Sequence, residues 1–284
     1  MNYLLKLISI VLPLKARIYL FFLYKHGYPV SFRTPKTWSE KIQCRKLILN
    51  SNDGIFADKF KVREYVEKTV GPDILIPLLG VYDELSLDDL KKLPSDVVLK
   101  TTHGSGVKHI HFLSDRCNFA DVVEKFRSAL NDSYRGWFFG ETHYDTIERR
   151  IIAEQKLDFE GDSPPDFKFH VFNNEGEVTW VLQVDFDRFT DHKRNFYDSE
   201  LNLLDLRVIY ANGIFDMPAP AIVKDMAHVA VKLNGSRKYS RVDLYLHKDK
   251  IYFGEITLTP DSGFGKFSDR SHDIEMGKLW GEFN

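Results

Sequence analysis

The residues most able to do chemistry fall in one short stretch, RVDLYLHKDKIYFGEITLTP, residues 241–260. Two apolar runs flank a polar tip, so it reads as a β-hairpin. Arg241, Asp243 and Tyr245 alternate onto one face of the first arm, and Glu255, Thr257 and Thr259 share a face of the second. A three-residue loop, Lys248 to Lys250, would set Asp243 directly opposite Glu255, whereas a two-residue loop would shift the register by one and separate them. Two carboxylates side by side repel. The repulsion becomes attraction if a divalent cation lies between them, and Mg²⁺ favours one or two protein carboxylates, with phosphate oxygens and water filling its shell. The plainer reading of any lone hairpin is a solvated face with scattered charge.

Two further stretches bear on that choice. In VVLKTTHGSG, Lys100 ends an apolar strand and Gly104, Ser105 and Gly106 form a short loop. Glycines let backbone N–H groups approach phosphate oxygens, and a lysine supplies a point charge for them. The loop has neither the GK[ST] ending of a Walker A loop nor the G-x-G-x-x-G pattern, and taken alone it is an ordinary hairpin turn. In IIAEQKL, apolar residues run to Glu154 and Leu157 closes the stretch. Such a strand end can offer its backbone to the edge of an adenine, although spacing alone favours an ordinary buried strand. His103, His109 and His111 suggest zinc, since His109 and His111 share a strand face, but no third ligand is spaced to join that pair in a tetrahedral site.

Around these residues the pattern is mixed. Residues 1–70 read as helical, with TWSEKIQCRKLIL opening on an N-cap Thr37 or Ser39 and DKFKVREYVEKTV (58–70) ending at Gly71-Pro72. Residues 95–113 read as strand, glycine loop and strand; 119–132 as a helix; 149–159 as a strand; 166–189 as two strands about an Asn-Asn-Glu-Gly turn; and 219–235 as a helix stopped by Gly235. DRFTDHKRNF reads as a long connection. A short final helix follows the hairpin. The order is α+β, with antiparallel hairpins in the second half.

Bulk composition narrows the classes. A chain of 284 residues exceeds one average core. With 43% hydrophobic and 14% aromatic residues it is not a disordered chain. A net charge of −2 excludes a globally basic nucleic-acid binder. Cys44 and Cys117 make no disulfide framework and no metal-type pair, which fits a reducing cytoplasm. The apolar start is broken by Lys6, Pro13, Lys15 and Arg17, too short in each run to span a bilayer. It reads as two helices packed on the body, with peripheral membrane contact as the alternative.

Taken in order, the motifs resemble the ATP-grasp superfamily: an Asp-Lys helix, a strand-Lys with glycine loop, a strand with Glu-x-x-Leu, then Arg-x-Asp and Glu-x-Thr. RVDL with EITLTPDSG is similar to the Arg-Val-Asp and Glu-x-Asn-x-x-Pro-Gly segments of D-alanine–D-alanine ligases. PKTWSEKIQ, DKFKVREYV and GEITLTPDSGF resemble a narrower group, the TupA-like ATP-grasp family, over most of residues 25–280. The resemblance implies an ATP-grasp fold: a mostly helical N-terminal region (1–95), a lid subdomain with the glycine flap (96–157) and a C-terminal subdomain with the metal site (158–284). It implies that Lys59 and Lys100 hold ATP phosphates under a flap at Gly104, Ser105 and Gly106, and that Glu154, Gln155, Lys156 and Leu157 form the adenine hinge. Asp243 and Glu255 would bind Mg²⁺. Thr257 stands where the wider family has Asn, which leaves it an uncertain third ligand. Arg241 would stabilise the charged transition state, with Lys100 as the second catalytic cation.

Asp166 and Lys168 alternate onto one face and could meet ribose or phosphates; a surface pair is the plainer alternative. Arg188 and Arg194 could line an acceptor site for an anion, against a solvated loop. The activity implied is an ATP- and Mg²⁺-dependent carboxylate–amine ligase, cytoplasmic or at the inner face of the membrane. It would join an amino acid or peptide to a uronic acid or lipid-linked sugar of a capsule, O-antigen or cell-wall polymer. A glycosyltransferase, a sugar kinase or a non-catalytic binding module are the alternatives.

Overall fold

The computed structural model describes residues 7–8, 10–114, 116–132, 135–159 and 164–283. The chain divides into two compact units. One comprises Asn50–Tyr134 with His143–Asp158; the other comprises Met1–Leu49, Arg135–Thr142 and Phe159–Asn284. Residues 50–95 therefore belong to the same unit as the strand that bears Lys100. Both units combine antiparallel strands with helices, as the α+β reading expects.

The smaller unit is built on four antiparallel strands, β1 (Leu78–Tyr82), β2 (Val97–Thr101), β3 (Ile110–Leu113) and β4 (Ile151–Gln155), in the order β1-β4-β2-β3. Val97, Leu99, Ile151 and Ala153 face a core that takes in Val122 and Phe126 of the helix Phe119–Leu130. Their neighbours Lys100 and Glu154 therefore point to the opposite face. The helix at 62–70 starts four residues later than its apolar pattern suggests. Asp58 Oδ1 accepts from the backbone N–H of Phe60 and Lys61, which holds a turn ahead of it.

The larger unit carries six antiparallel strands, β5 (Asp166–Asn174), β6 (Glu177–Phe186), β7 (Lys193–Tyr197), β8 (Leu203–Leu204), β9 (Tyr239–His247) and β10 (Lys250–Thr257). Their order is β10-β9-β5-β6-β7-β8. The stretch read as a long connection holds β7, a short strand whose alternation is masked by Lys193, Arg194 and Asn195. Phe167, Phe169, Leu182, Val242 and Leu244 line one face, and the helix Pro220–Asn234 packs against β5 and β9.

The other face changes character along each strand. At one end Phe172, Val181, Phe196 and Tyr239 join Trp38, Ile42, Met276 and Trp280 in a buried cluster. Trp38 and Ile42 come from the helix Trp38–Lys46 and Met276 from the helix Arg270–Leu279. Thr37 is the N-cap of the first: its Oγ1 accepts from Glu40 N–H at 3.1 Å, and Glu40 Oε2 accepts from Thr37 N–H at 3.0 Å. Ser39 is not the cap; its N–H donates to Asp273 on the partner helix. Beyond this apolar end the same sheet face turns charged.

Candidate active site

The hairpin of β9 and β10 turns through two residues, Lys248 and Asp249, both left-handed with φ of 50° and 60°. Of the two loops the sequence left open, the two-residue one is formed. Lys250 pairs with His247, and this register runs to Phe253 with Leu244. Continued unbroken, it would set Glu255 against Val242. A bulge at Gly254 absorbs one residue, and Glu255 pairs with Asp243 after all. A Cβ at position 254 would lie 2.9 Å from the Asp243 carbonyl oxygen and 3.1 Å from the Tyr245 ring. The bulge therefore requires glycine.

What relieves the two carboxylates is cationic side chains. Arg241 Nε and Nη2 donate to the two oxygens of Asp243 at 2.7 and 2.8 Å, and Nη2 also reaches Glu255 Oε1 at 2.9 Å and Thr257 Oγ1 at 3.2 Å. Lys168, opposite Asp243 on β5, donates to Asp243 Oδ2 at 2.6 Å and lies 3.7 Å from Asp166. Arg188 pairs with Asp166. Burial opposes the charges on Lys168 and Arg241, but Asp243 and its acidic neighbours outweigh it and hold both pKa values above normal. Arg241 and Lys168 thus offset the repulsion expected between the two acids, a role the sequence pattern left to a divalent cation.

Asp166 and Lys168 are buried in this network and do not form a surface pair. Arg194 is no loop residue either. It sits buried on β7 and grips Asp185 with Nε at 2.5 Å and Nη2 at 3.1 Å, which leaves that carboxylate at about 2 although burial alone would raise it. Arg188 is the half-exposed member of the predicted arginine pair.

Sequence reasoning passed over a chain of buried polar groups beside this site. Gln183 Nε2 donates to Asp185 Oδ2 at 2.9 Å, so its Oε1 is the acceptor facing His170 Nε2 at 3.0 Å. His170 must carry its proton on Nε2, and its bare Nδ1 accepts from Tyr239 O–H at 2.8 Å. Burial, then Arg241, pushes the His170 pKa down to about 3, so the ring is neutral. Its signal was present: His170 follows Asp166 and Lys168 at period two.

The smaller unit gathers its own candidates. Lys59 Nζ donates to the Gly104 carbonyl at 2.6 Å, which joins the first lysine to the glycine loop. Gly104 lies against the His109 ring, where a Cβ would fall 2.0 Å from Nδ1. Gly106 has φ of +80°, a conformation that favours glycine, and Ser105 and Gly106 are exposed. Lys100 Nζ pairs with Glu154 Oε2 at 2.8 Å, while Arg63, which the sequence reading missed, pairs with Glu154 Oε1 at 2.9 Å. The Glu154 carboxylate is thus engaged by two cations. Gln155 N–H donates to Pro77 O and Lys156 N–H to Asp96 O, leaving Leu157 as the next amide along the hinge stretch. The His103 and His109 rings pack edge to face at 5.4 Å and His109 also contacts Thr101, whereas His111 contacts Cys117, so the three do not converge on one point.

Among the described residues there is no group of three or more His, Cys, Asp or Glu able to hold a metal ion. The hard-oxygen set of Asp243, Glu255 and Thr257 nonetheless fits Mg²⁺, which needs only one or two carboxylates from protein. Both bonds received by Glu255 land on Oε1, and its side chain is 44% exposed.

No curated protein sequence matches the chain. Among solved structures, a D-alanine–D-alanine ligase from Helicobacter pylori is similar at 10% identity and TM-score 0.46, over 81% of this chain and 62% of that one. An L-amino acid ligase from Bacillus licheniformis is similar at 18% identity and TM-score 0.45, over 78% and 48%. A D-alanine–D-alanine ligase from Bacillus anthracis complexed with ATP is similar at 14% identity and TM-score 0.40, over 73% and 56%. The chain spans less than two thirds of the length of each. The family assignment rests on sequence: the profile described as TupA-like ATPgrasp matches residues 40–280, from the helix that supports the charged sheet face through to the final helix, and the chain belongs to that family.

Proposed function

We propose that this protein is an ATP- and Mg²⁺-dependent carboxylate–amine ligase that works through an acyl phosphate. The observation that carries the reading is the Gly254 bulge. It brings Glu255 opposite Asp243 at the one point of the hairpin where Arg241 spans both. Asp243 and Glu255, with the Thr257 hydroxyl beside them, would hold the cation. Mg²⁺ bound there would supply positive charge against the phosphate oxygens of ATP.

An oxygen of the acceptor carboxylate attacks the γ-phosphorus, the bond to the bridging oxygen breaks and ADP leaves. The amine nitrogen then attacks the acyl carbon, loses a proton, and inorganic phosphate departs with the electron pair of the broken C–O bond. Lys59 and Lys100 would neutralise phosphate charge, and the Ser105–Gly106 loop would shield the acyl phosphate from water. Leu157 N–H is the hinge amide left to read the adenine edge. Arg241 would stabilise the oxyanion that develops at the carbonyl. It is buried and held by two acids, so little reorganisation is needed. Arg188, half exposed and anchored on Asp166, is the guanidinium we assign to the acceptor anion.

The resemblance to TupA-like proteins, named for teichuronopeptide biosynthesis, and the acyl-phosphate chemistry together support an amino acid or peptide as the amine and a uronic acid of a bacterial surface polysaccharide as the acid. The test is a matrix of uronic acids against amino acids, reading ADP release and product mass. ADP should form only when both an acid and an amine are present. Product formed from a nucleotide sugar without ATP would replace this reading with a glycosyltransferase, and ADP formed from a sugar alone would replace it with a kinase.

A further inference from the structure

The helix Leu14–His26 is apolar on two opposite sides. Ile18 and Phe22 are fully buried against the body. The other side follows the spacing of three and four through Ala16, Tyr19, Leu20, Leu23 and Tyr24, with no charge among them. Leu20 is 53% exposed and Tyr24 78%. Just ahead of the helix, Ile10 and Val11 are 80% and 76% exposed. A groove of about 580 Å³ next to the helix start is lined by Pro13, Leu14, Lys15 and Ile48, and the last of these is 63% exposed. A helix face that is apolar is normally covered, and clustered exposed apolar side chains mark a contact surface.

Charge says what covers it. The first 39 residues contain Lys6, Lys15, Arg17, Lys25, Arg33 and Lys36 and no acid before Glu40. Six positive charges in a chain of net −2 leave −8 on the remainder. Exposed Lys15 flanks the apolar side and exposed Lys25 reaches to 5.9 Å from the Tyr24 ring, whereas Arg17 turns inward over Phe138; Tyr19 and Tyr24 have the amphipathic rings that suit a headgroup boundary. A second copy of the chain would bring the same cations to the same face, which disfavours self-association there. No helix among the described residues is long and apolar enough to cross a membrane.

We propose that the outward face of the helix Leu14–His26 rests on an anionic phospholipid surface, with Leu20, Leu23 and Tyr24 in the acyl boundary and the exposed Lys15 and Lys25 at the headgroups. This goes beyond the ligase reading and does not rest on it, because vesicle binding is read without substrates. The full chain is floated with phosphatidylcholine vesicles, with and without about one third phosphatidylglycerol. The chain should float with the anionic vesicles at least tenfold more than with the neutral ones, and high salt should weaken binding. Lys15→Gln should lower affinity by about fivefold, the share of one cation at such a surface. The double variant Leu20→Glu, Leu23→Glu should abolish flotation while its circular dichroism and ADP formation stay unchanged. A chain that stays at the bottom with anionic vesicles overturns the proposal. So does a double variant that still floats, or one whose only change is conversion of a dimer to a monomer by light scattering.

Discussion

The two sheets carry charge in different ways. In the smaller unit a part-exposed Lys100 pairs with a buried Glu154 near a strand end, beside a loop whose tip, Ser105 to Lys108, lies in solvent. In the larger unit Asp166, Lys168, Asp185, Arg194, Arg241 and Asp243 are all buried; Lys168 and Asp243 join β5 to β9, Asp185 and Arg194 join β6 to β7, and His170 with Gln183 bridges β5 to β6. A partly exposed pair gains little and can exchange partners cheaply. A buried network has already lost its water, so each member depends on the others remaining charged. The first arrangement suits groups that must take up and release a nucleotide; the second suits groups that must not move while charge develops.

The sharpest way to break this comparison is to remove one buried acid. Asp243→Asn leaves Arg241 and Lys168 facing a neutral amide, so stability should fall by about 3–5 kcal/mol in urea unfolding and ADP release by ~100-fold or more. Glu255→Gln, at a side chain 44% exposed, should lose a similar factor in rate while stability changes by under about 1 kcal/mol. Equal stability losses in the two variants would show that the network is not the buried unit described. Gly254→Ala comes next. Its Cβ meets the Asp243 carbonyl and the Tyr245 ring, so the bulge must shift, at roughly 1–3 kcal/mol. Its activity should resemble that of Glu255→Gln, because the two carboxylates lose their alignment. Wild-type activity would mean that their pairing does not matter.

In the smaller unit, Lys100→Ala should weaken nucleotide binding about tenfold by calorimetry, the share of one charge-assisted contact. The fold should lose only ~1 kcal/mol, because Arg63 continues to neutralise Glu154. Unchanged nucleotide affinity would remove Lys100 from the phosphate site.

A separate effect, outside the charged sheet face, is read with pH. Asp273 accepts from Ser39 N–H and Tyr28 O–H, yet burial raises its pKa to about 6. The folded chain therefore binds this proton more tightly than the unfolded one. The contribution is complete below about pH 4 and is lost as pH rises through 6, at ~3 kcal/mol at most. Asp273→Asn should flatten the dependence of the urea midpoint between pH 4 and 7, and an unchanged slope would assign that dependence to another group.

Much of this site was legible because alternation is a local property. Asp243, Arg241 and Glu255 could be put on common faces by counting, and Asp166, Lys168 and His170 likewise. Counting failed where the decisive feature was one residue long. The bulge at Gly254 looks in sequence like any strand glycine, and the two-residue turn ahead of it would by itself have separated the acids. β7 was missed because a buried Arg194 looks the same in sequence as a solvated one; only Asp185 across the strand pair distinguishes them. Arg63 comes from a helix far from Glu154 in sequence, and no local pattern announces it.

The sequence by itself determined the α+β class, the antiparallel hairpins, a capped helix start at Thr37 or Ser39 and the family to which the chain belongs. Those follow from periodicity, capping chemistry and motif order, all of which act over a few residues. Tertiary structure alone decided which charges are paired. Ion pairs form across strands distant in sequence, and whether a charge is buried depends on the strand beside it and the helices that shield it from water.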